Sequence, residues 1–254
     1  MHVQLGLTPD TRWETDIHTL VEATHHAGFP TLGIHSGLVD AQASSAFASV
    51  GLGCHELLGI VVSGDVSATT NWAERLVEEA AAMNARWVST TFASPLTDDT
   101  AALVARCAAM FAEAGSGMAI EPSPLGPVPT IQAGLDMVAA AGVERAGLVI
   151  DSWNFSFSDD GWDDLARVPL ERIAYIQFAD ALAPVTADRM DEALNRRAMP
   201  GDGVLELDRF TSTLRERGWD GVVSVQVLSA ELRQLPLADF ARLAHDSAAR
   251  YWTS

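Results

Sequence analysis

The chain has 254 residues, 48% hydrophobic and 20% charged, and its 34 acidic against 16 basic residues give a formal charge of −18. That length and apolar content suit one large α/β domain with a sizeable core, and so acidic a surface speaks against nucleic acid as a partner. All the basic residues are arginine, which excludes a Schiff-base aldolase, a pyridoxal-phosphate enzyme and a P-loop, all of which need a lysine amine.

Short apolar runs alternate with amphipathic stretches from end to end. Val3–Leu7 reads as a first strand, followed by a helix near Thr11–Gly28. Thr31–His35 is the second strand, with a short helix near Asp40–Val50. Glu56–Val62 is the third, with a helix near Thr70–Met83 after a cap region at Thr69–Asn71. Trp87–Phe92 is the fourth, and Thr97 or Asp98 caps the helix Asp98–Ala114. Gly117–Glu121 is the fifth, followed by a proline-rich loop and a helix near Thr130–Ala141 that stops at Gly142. The sixth strand, Leu148–Asp151 within the apolar stretch Ala146–Asp151, precedes a helix near Gly161–Arg167. The seventh is Ile173–Asp180. A long loop, Ala181–Gly203, leads to a helix near Asp208–Arg217, an eighth strand Val222–Leu228 and a last helix Leu237–Tyr251.

Eight strand–helix units in strict alternation predict a single (β/α)8 TIM barrel spanning residues 1–254. The alternative, an open doubly wound sheet, lacks its glycine-rich turn after the first strand. The longest loops follow strands five, six and seven, on the face where barrel chemistry sits. Cys54 and Cys107 have no paired spacing, so neither a structural zinc site nor a disulfide framework is indicated. No signal pattern and no membrane span is visible, and the expected location is cytoplasmic.

Four strand ends carry oxygen-bearing side chains: Glu121, Asp151, Gln177 and Gln226. In a barrel these ends converge on one pocket. Two carboxylates and two amides form a hard donor set that favours Mn²⁺ or Mg²⁺ over zinc. Taken singly, each could be a helix cap, an arginine partner or a satisfied core amide. Together they predict a site.

The chain resembles the sugar isomerase/epimerase superfamily, the xylose-isomerase-like TIM barrels, among them hydroxypyruvate isomerases, inosose dehydratases and 3-dehydroshikimate dehydratases. The resemblance rests on AIEP at Ala119–Pro122, VIDSWN at Val149–Asn154, IQFADA at Ile176–Ala181, RAMPGDG at Arg197–Gly203 and GWDGVVSVQVLS at Gly218–Ser229. It implies Glu121, Asp151, Gln177 and Gln226 as metal ligands and Arg197 as the group that binds a substrate anion. Arg196 is expected to be a loop residue. Family members are often dimers or tetramers, so a homo-oligomer stays open. A small-molecule substrate is expected, with no nucleic acid and no membrane as partner.

Two positions depart from the family pattern. Gln226 stands where glutamate is usual, and Asn154 where histidine is usual. An amide does not exchange protons at neutral pH, so neither serves as an acid or base. Glu121 remains, and His35, at the end of the second strand, is the substitute base. His55 reads as a strand-entry residue on the opposite face, with Glu56 beside it. Trp153, Phe155 and Phe157 could form an apolar wall, and Asp180 is expected to touch substrate, hold Arg197 or hold the following loop. Two readings follow. One is a metal-dependent isomerase, epimerase or dehydratase that removes a proton next to a carbonyl. The other is a barrel without the usual metal chemistry, acting as a ligand-binding or accessory protein or as a metal-free lyase. A DNA-repair endonuclease of the same superfamily ranks well below both, because strand-end histidines and a basic groove are lacking.

Overall fold

The computed structural model describes residues 3–94 and 97–253. Eight parallel strands close a barrel: β1 (Gln4–Leu7), β2 (Thr31–His35), β3 (Gly53–Val62), β4 (Trp87–Phe92), β5 (Gly117–Ile120), β6 (Ala146–Asp151), β7 (Ile173–Phe178) and β10 (Val222–Val225). β1 pairs with both β2 and β10, which completes the ring. The expected (β/α)8 TIM barrel is therefore the observed one.

The outer helices are α1 (Ile17–His26), α2 (Ala43–Val50), α3 (Val66–Met83), α4 (Asp98–Glu113), α5 (Ile131–Ala141), α7 (Trp162–Arg167), α9 (Leu207–Arg215) and α10 (Leu237–Trp252). Each turns an apolar stripe to the strands. In α9 the buried residues are Leu207, Phe210, Thr211 and Leu214, the spacing of one helical face. Thr97 and Thr130 cap α4 and α5 by accepting from Thr100 N and Ala133 N. α3 is capped by Asp65, which accepts from Ala68 N, so it begins four residues before the expected Thr70. An aspartate three residues ahead of a backbone N–H satisfies a donor that Thr69 or Thr70 would leave unpaired.

Three elements lie where loops were expected. Asp151 caps a short helix, α6 (Ser152–Phe157). The long segment after β7 contains α8 (Arg189–Asn195) and a two-stranded antiparallel ribbon, β8 (Asp180–Ala181) with β9 (Arg197–Ala198). Below the mouth, Ala119, Val149, Ala174 and Tyr175 pack inside the barrel with Trp87 and Val222. The larger core lies between the helices and the outer faces of the strands. Cys54 and Cys107 are buried free thiols, and burial pushes Cys54 up to about 12. Among the described residues no helix is long and apolar enough to cross a membrane.

One irregularity matters for the site. Leu32 pairs with Cys54, but Gly33 pairs with Glu56, so β3 carries a bulge at His55. Alternation along a strand would send neighbours to opposite faces, and the extra residue lets both His55 and Glu56 point inward. His55 meets Thr31, Thr8 and Ser224 and packs edge-on against Tyr175. His55 thus enters at the start of β3, at the end of the barrel away from the mouth as expected of a strand-entry residue, and its ring is buried in the lumen there. Gly33 makes room for this layer, because a Cβ there would stand 2.4 Å from Thr8 Oγ1.

Candidate functional site

The carboxyl ends of β5, β6, β7 and β10 bring Glu121, Asp151, Gln177 and Gln226 to the mouth of the barrel. Asp151 and Gln177 are register neighbours on adjacent strands. Asp151 is buried, and both its oxygens are in use. Oδ1 accepts the Asn154 backbone N–H at 2.7 Å, which caps α6, and Oδ2 receives Arg197 Nη1 at 2.7 Å. The same short helix aims Asn154, whose Nδ2 donates to Glu121 Oε1 at 2.8 Å while its Oδ1 accepts from Ser123 Oγ at 3.3 Å. Asn154 therefore ties the carboxyl of Glu121 to Ser123.

Arg197 is held by backbone. It sits in β9, its N–H donates to Leu228 O, its Nε donates to Ala193 O at 3.0 Å, and its guanidinium lies 5.4 Å from the centre of the Trp153 ring. Arg196 turns outward to Glu192 at 2.9 Å, the loop role expected of it.

A cavity of about 410 Å³ opens above these groups. Glu121, Ser123, Asn154, Arg197 and Gln226 form its polar floor and side. Its apolar wall comes from Phe92, Leu125, Met190, Leu194 and Leu228. Trp153 is not on that wall: it is buried beneath Arg197 and packs on Phe157. Phe155 turns outward to Trp162 and Phe210. Aromatic residues just after a strand end gave a reasonable signal for a wall, but α6 winds them under the mouth.

Glu121 is the unusual carboxyl. Burial, then the charge of Asp151, raise it to about 8 from an ordinary 4.5; Arg197 and the Asn154 hydrogen bond oppose this, and Glu56 adds to it. Its Oε2 has no protein partner among the described residues. Glu56, which sequence reasoning mentioned but did not place in the site, lies deeper in the lumen and is fully buried. It accepts from Thr8 Oγ1 at 2.9 Å and from Gln177 Nε2 at 3.4 Å. Gln177 Oε1 is buried without a hydrogen-bond partner. Gln226 lines the cavity, and its side chain makes no hydrogen bond among the described residues.

Two expected site residues do not join this group. His35 ends β2, but its Nδ1 accepts from Gly37 N at 3.1 Å and so caps the turn Ser36–Leu38. It does not line the cavity, and burial lowers its pKa. Asp180 is committed to its own loop. Its carboxylate accepts from the backbone N–H groups of Ala181, Gly201, Gly203 and Leu205 at 2.8 to 3.1 Å. It touches neither Arg197 nor the cavity, which fulfils the loop-holding expectation and corrects the substrate-binding one. Gly203 has to be glycine, since a Cβ there would stand 2.3 Å from Ala181 O. Asp180→Ala is expected to destabilise the protein on the order of 3 kcal/mol, because hydrogen bonds to a charged acceptor are the strong ones. Urea unfolding measures this, and a loss under about 1 kcal/mol would show that the loop holds itself.

Among the described residues, no three His, Cys, Asp or Glu side chains group as a metal site. A cation here would have to draw on amide oxygens as well. The donor set nevertheless fits one. The charges of Asp151 and Glu56 both act on Glu121, against the single guanidinium of Arg197, which Asp151 also holds. Among the described residues three oxygens, Glu121 Oε2, Gln177 Oε1 and the Gln226 amide oxygen, lack a protein donor. A hard divalent cation satisfies both the charge and the lone pairs.

Comparison with known proteins agrees with this architecture. The chain is 30% identical over 112 residues to an inosose isomerase of Halalkalibacterium halodurans, a match covering 44% of this chain and 39% of that protein. It is 30% identical over 102 residues to a 3-dehydroshikimate dehydratase of Pseudomonas aeruginosa, covering 40% of this chain and 16% of that one. The chain thus spans well under half the length of these relatives. The solved structure of an IOLI protein with a bound zinc atom superposes with a TM-score of 0.84 at 16% identity, covering 99% of this chain and 100% of the other. The pattern of one family matches residues 63–247, nearly three quarters of the sequence. The chain belongs to the xylose isomerase-like TIM barrel family.

Proposed function

We propose that this barrel is an enzyme of the isomerase or dehydratase type that removes a proton next to the carbonyl of a small polyhydroxy or keto-acid substrate. The observation that carries this reading is the placement of Glu121. One of its oxygens is fixed by Asn154 and the other faces the cavity unpartnered, with Arg197 beside it. In its ionised form, which the charge of a bound cation would favour, a carboxyl held that way offers a lone pair to a substrate proton. The Arg197 guanidinium, fixed by Asp151 and by Ala193 O, orients an anionic or oxygen-rich substrate. The apolar wall excludes water from the reacting carbon.

Glu121, Asp151, Gln177 and Gln226 would hold a divalent metal, and when bound it would polarise the substrate carbonyl. The remaining steps belong to the chain's own groups. Across the cavity stands Gln226, an amide that neither takes nor gives a proton. One base on one face supports dehydration or same-face isomerisation, in which Glu121 takes a proton and returns it. It does not support epimerisation, which needs a base on each face. The relatives named inosose isomerase and 3-dehydroshikimate dehydratase lend this reading their substrate class: cyclic polyhydroxy ketones and their acids.

The test is solvent exchange. Inosose and 3-dehydroshikimate are each incubated with the protein in D₂O, with Mn²⁺ and with EDTA, and followed by NMR. Deuterium next to the carbonyl, or loss of water from the substrate, is the expected result with Mn²⁺. Neither signal on either substrate would sink the reading. In parallel, millimolar Mn²⁺ or Mg²⁺ is expected to raise the melting temperature by several degrees, as ligands of the folded state do. No shift would remove metal from the proposal.

A further inference from the structure

A third carboxylate lies beneath Glu121 and Asp151, on another strand. Glu56 enters the lumen from β3 by way of the bulge at His55 and is fully buried. Its two oxygens are assigned separately. Thr8 Oγ1 donates to Oε2 at 2.9 Å, and Gln177 Nε2 donates to Oε1 at 3.4 Å. Thr8 is itself held by Ser224 Oγ at 2.7 Å, and Ser224 by His55 Nε2 at 2.9 Å. The carboxylate, carried by β3, is therefore held by Thr8, just past β1, and by Gln177 on β7, with Ser224 of β10 behind Thr8.

The consequence falls on Gln177. A primary amide has two ends of nearly equal size and opposite polarity, and only its surroundings decide which end points where. A carboxylate accepts and does not donate, so the end facing Glu56 has to be the NH₂. The carbonyl oxygen then points away from Glu56 on the side chain that sits in register with Asp151. It is buried with no donor to meet it. A buried acceptor held in this way is prepared for a ligand.

We propose that Glu56 is a positioning residue for Gln177: it fixes the amide in one of its two orientations and so presents Gln177 Oε1 to the cation of the barrel mouth. This rests on the metal-binding reading of the mouth given above. In metal sites the groups behind a ligand orient it, and losing one typically weakens binding 10- to 100-fold.

The experiment uses the whole chain labelled with ¹⁵N at glutamine side chains, together with Mn²⁺ titration by calorimetry. In the metal-free native protein the Gln177 side-chain amide protons are expected to exchange slowly with solvent. In Glu56→Gln, nearly the same shape, they are expected to lose that protection, and Mn²⁺ is expected to bind 10- to 100-fold more weakly. The double variant Glu56→Gln with Gln177→Glu reverses the pair. The amide introduced at position 56 then donates to one oxygen of the carboxylate at 177 and leaves the other for the metal, so affinity is expected to return. A merely structural role for Glu56 would give no such rescue. Equal metal affinity and unchanged amide exchange in Glu56→Gln would overturn the proposal. So would failure of the double variant, folded by circular dichroism, to recover binding. A native protein that shows the protected Gln177 amide but binds no Mn²⁺ would instead overturn the metal-binding reading and with it the cation as the ligand presented to, while leaving Glu56 as the group that sets the amide.

Discussion

Replacing Glu121 with glutamine is expected to remove turnover and, in the metal-free protein, to raise stability at alkaline pH. The first effect follows from its position as the one carboxylate with an oxygen open to the cavity, and loss of a general base typically costs roughly 10²–10⁴-fold in rate. The second follows from its titration. The carboxyl ionises at about 8 in the folded protein against an ordinary 4.5. Between those values the folded protein keeps a proton that the unfolded chain has released. Stability in EDTA is therefore lost as pH rises from about 4.5 to about 8, and the full penalty, on the order of a few kcal/mol, is present above that. Glutamine cannot ionise, so Glu121→Gln flattens this slope. Urea unfolding at pH 5 and pH 9 measures it. A native protein more stable at pH 9 than at pH 5, or a variant with the same slope, would contradict the account. A site residue whose removal stabilises the fold is strained for its task.

The largest destabilisation is expected from Arg197→Ala. Arg197 and Asp151 form a buried pair at 2.7 Å, with side chains 5% and 1% exposed. Removing the guanidinium strands a carboxylate beside Glu121 and Glu56, and breaking a buried pair on one side costs about 3–5 kcal/mol. For a chain of this size that corresponds to a fall in melting temperature on the order of 10 °C. Adding Asp151→Asn removes the stranded charge and is expected to recover part of the loss, so the two changes are far from additive. Additive effects would show that the pair is not coupled. Anion recognition fails in both variants, because the side chain that orients the substrate is gone.

The barrel was legible because its signal is local and repeated: apolar runs of strand length, amphipathic runs of helix length and glycine stops such as Gly142. The mouth was legible for a related reason. Glu121, Asp151, Gln177 and Gln226 end apolar runs, where a polar side chain has little packing value. What escaped the sequence depends on a neighbour. The bulge at His55 exists only as a register slip between β2 and β3, so nothing local in the sequence marked Glu56 as a residue of the lumen. His35 looked free at a strand end until the following turn took its Nδ1. Trp153 looked like a wall until α6, a six-residue helix too short for periodicity to show, wound it under Arg197. α8 and the β8–β9 ribbon were read as loop for the same reason, although they bring Met190, Leu194 and Arg197 to the cavity.

The bulge in β3 also bears on what a family pattern can see. The matched pattern begins at residue 63, just past the end of β3, so Thr8, His55 and Glu56 lie in the part of the chain it does not reach. A site described from residues 63–247 alone would therefore miss the buried carboxylate beneath the mouth, and with it one of the charges that act on Glu121.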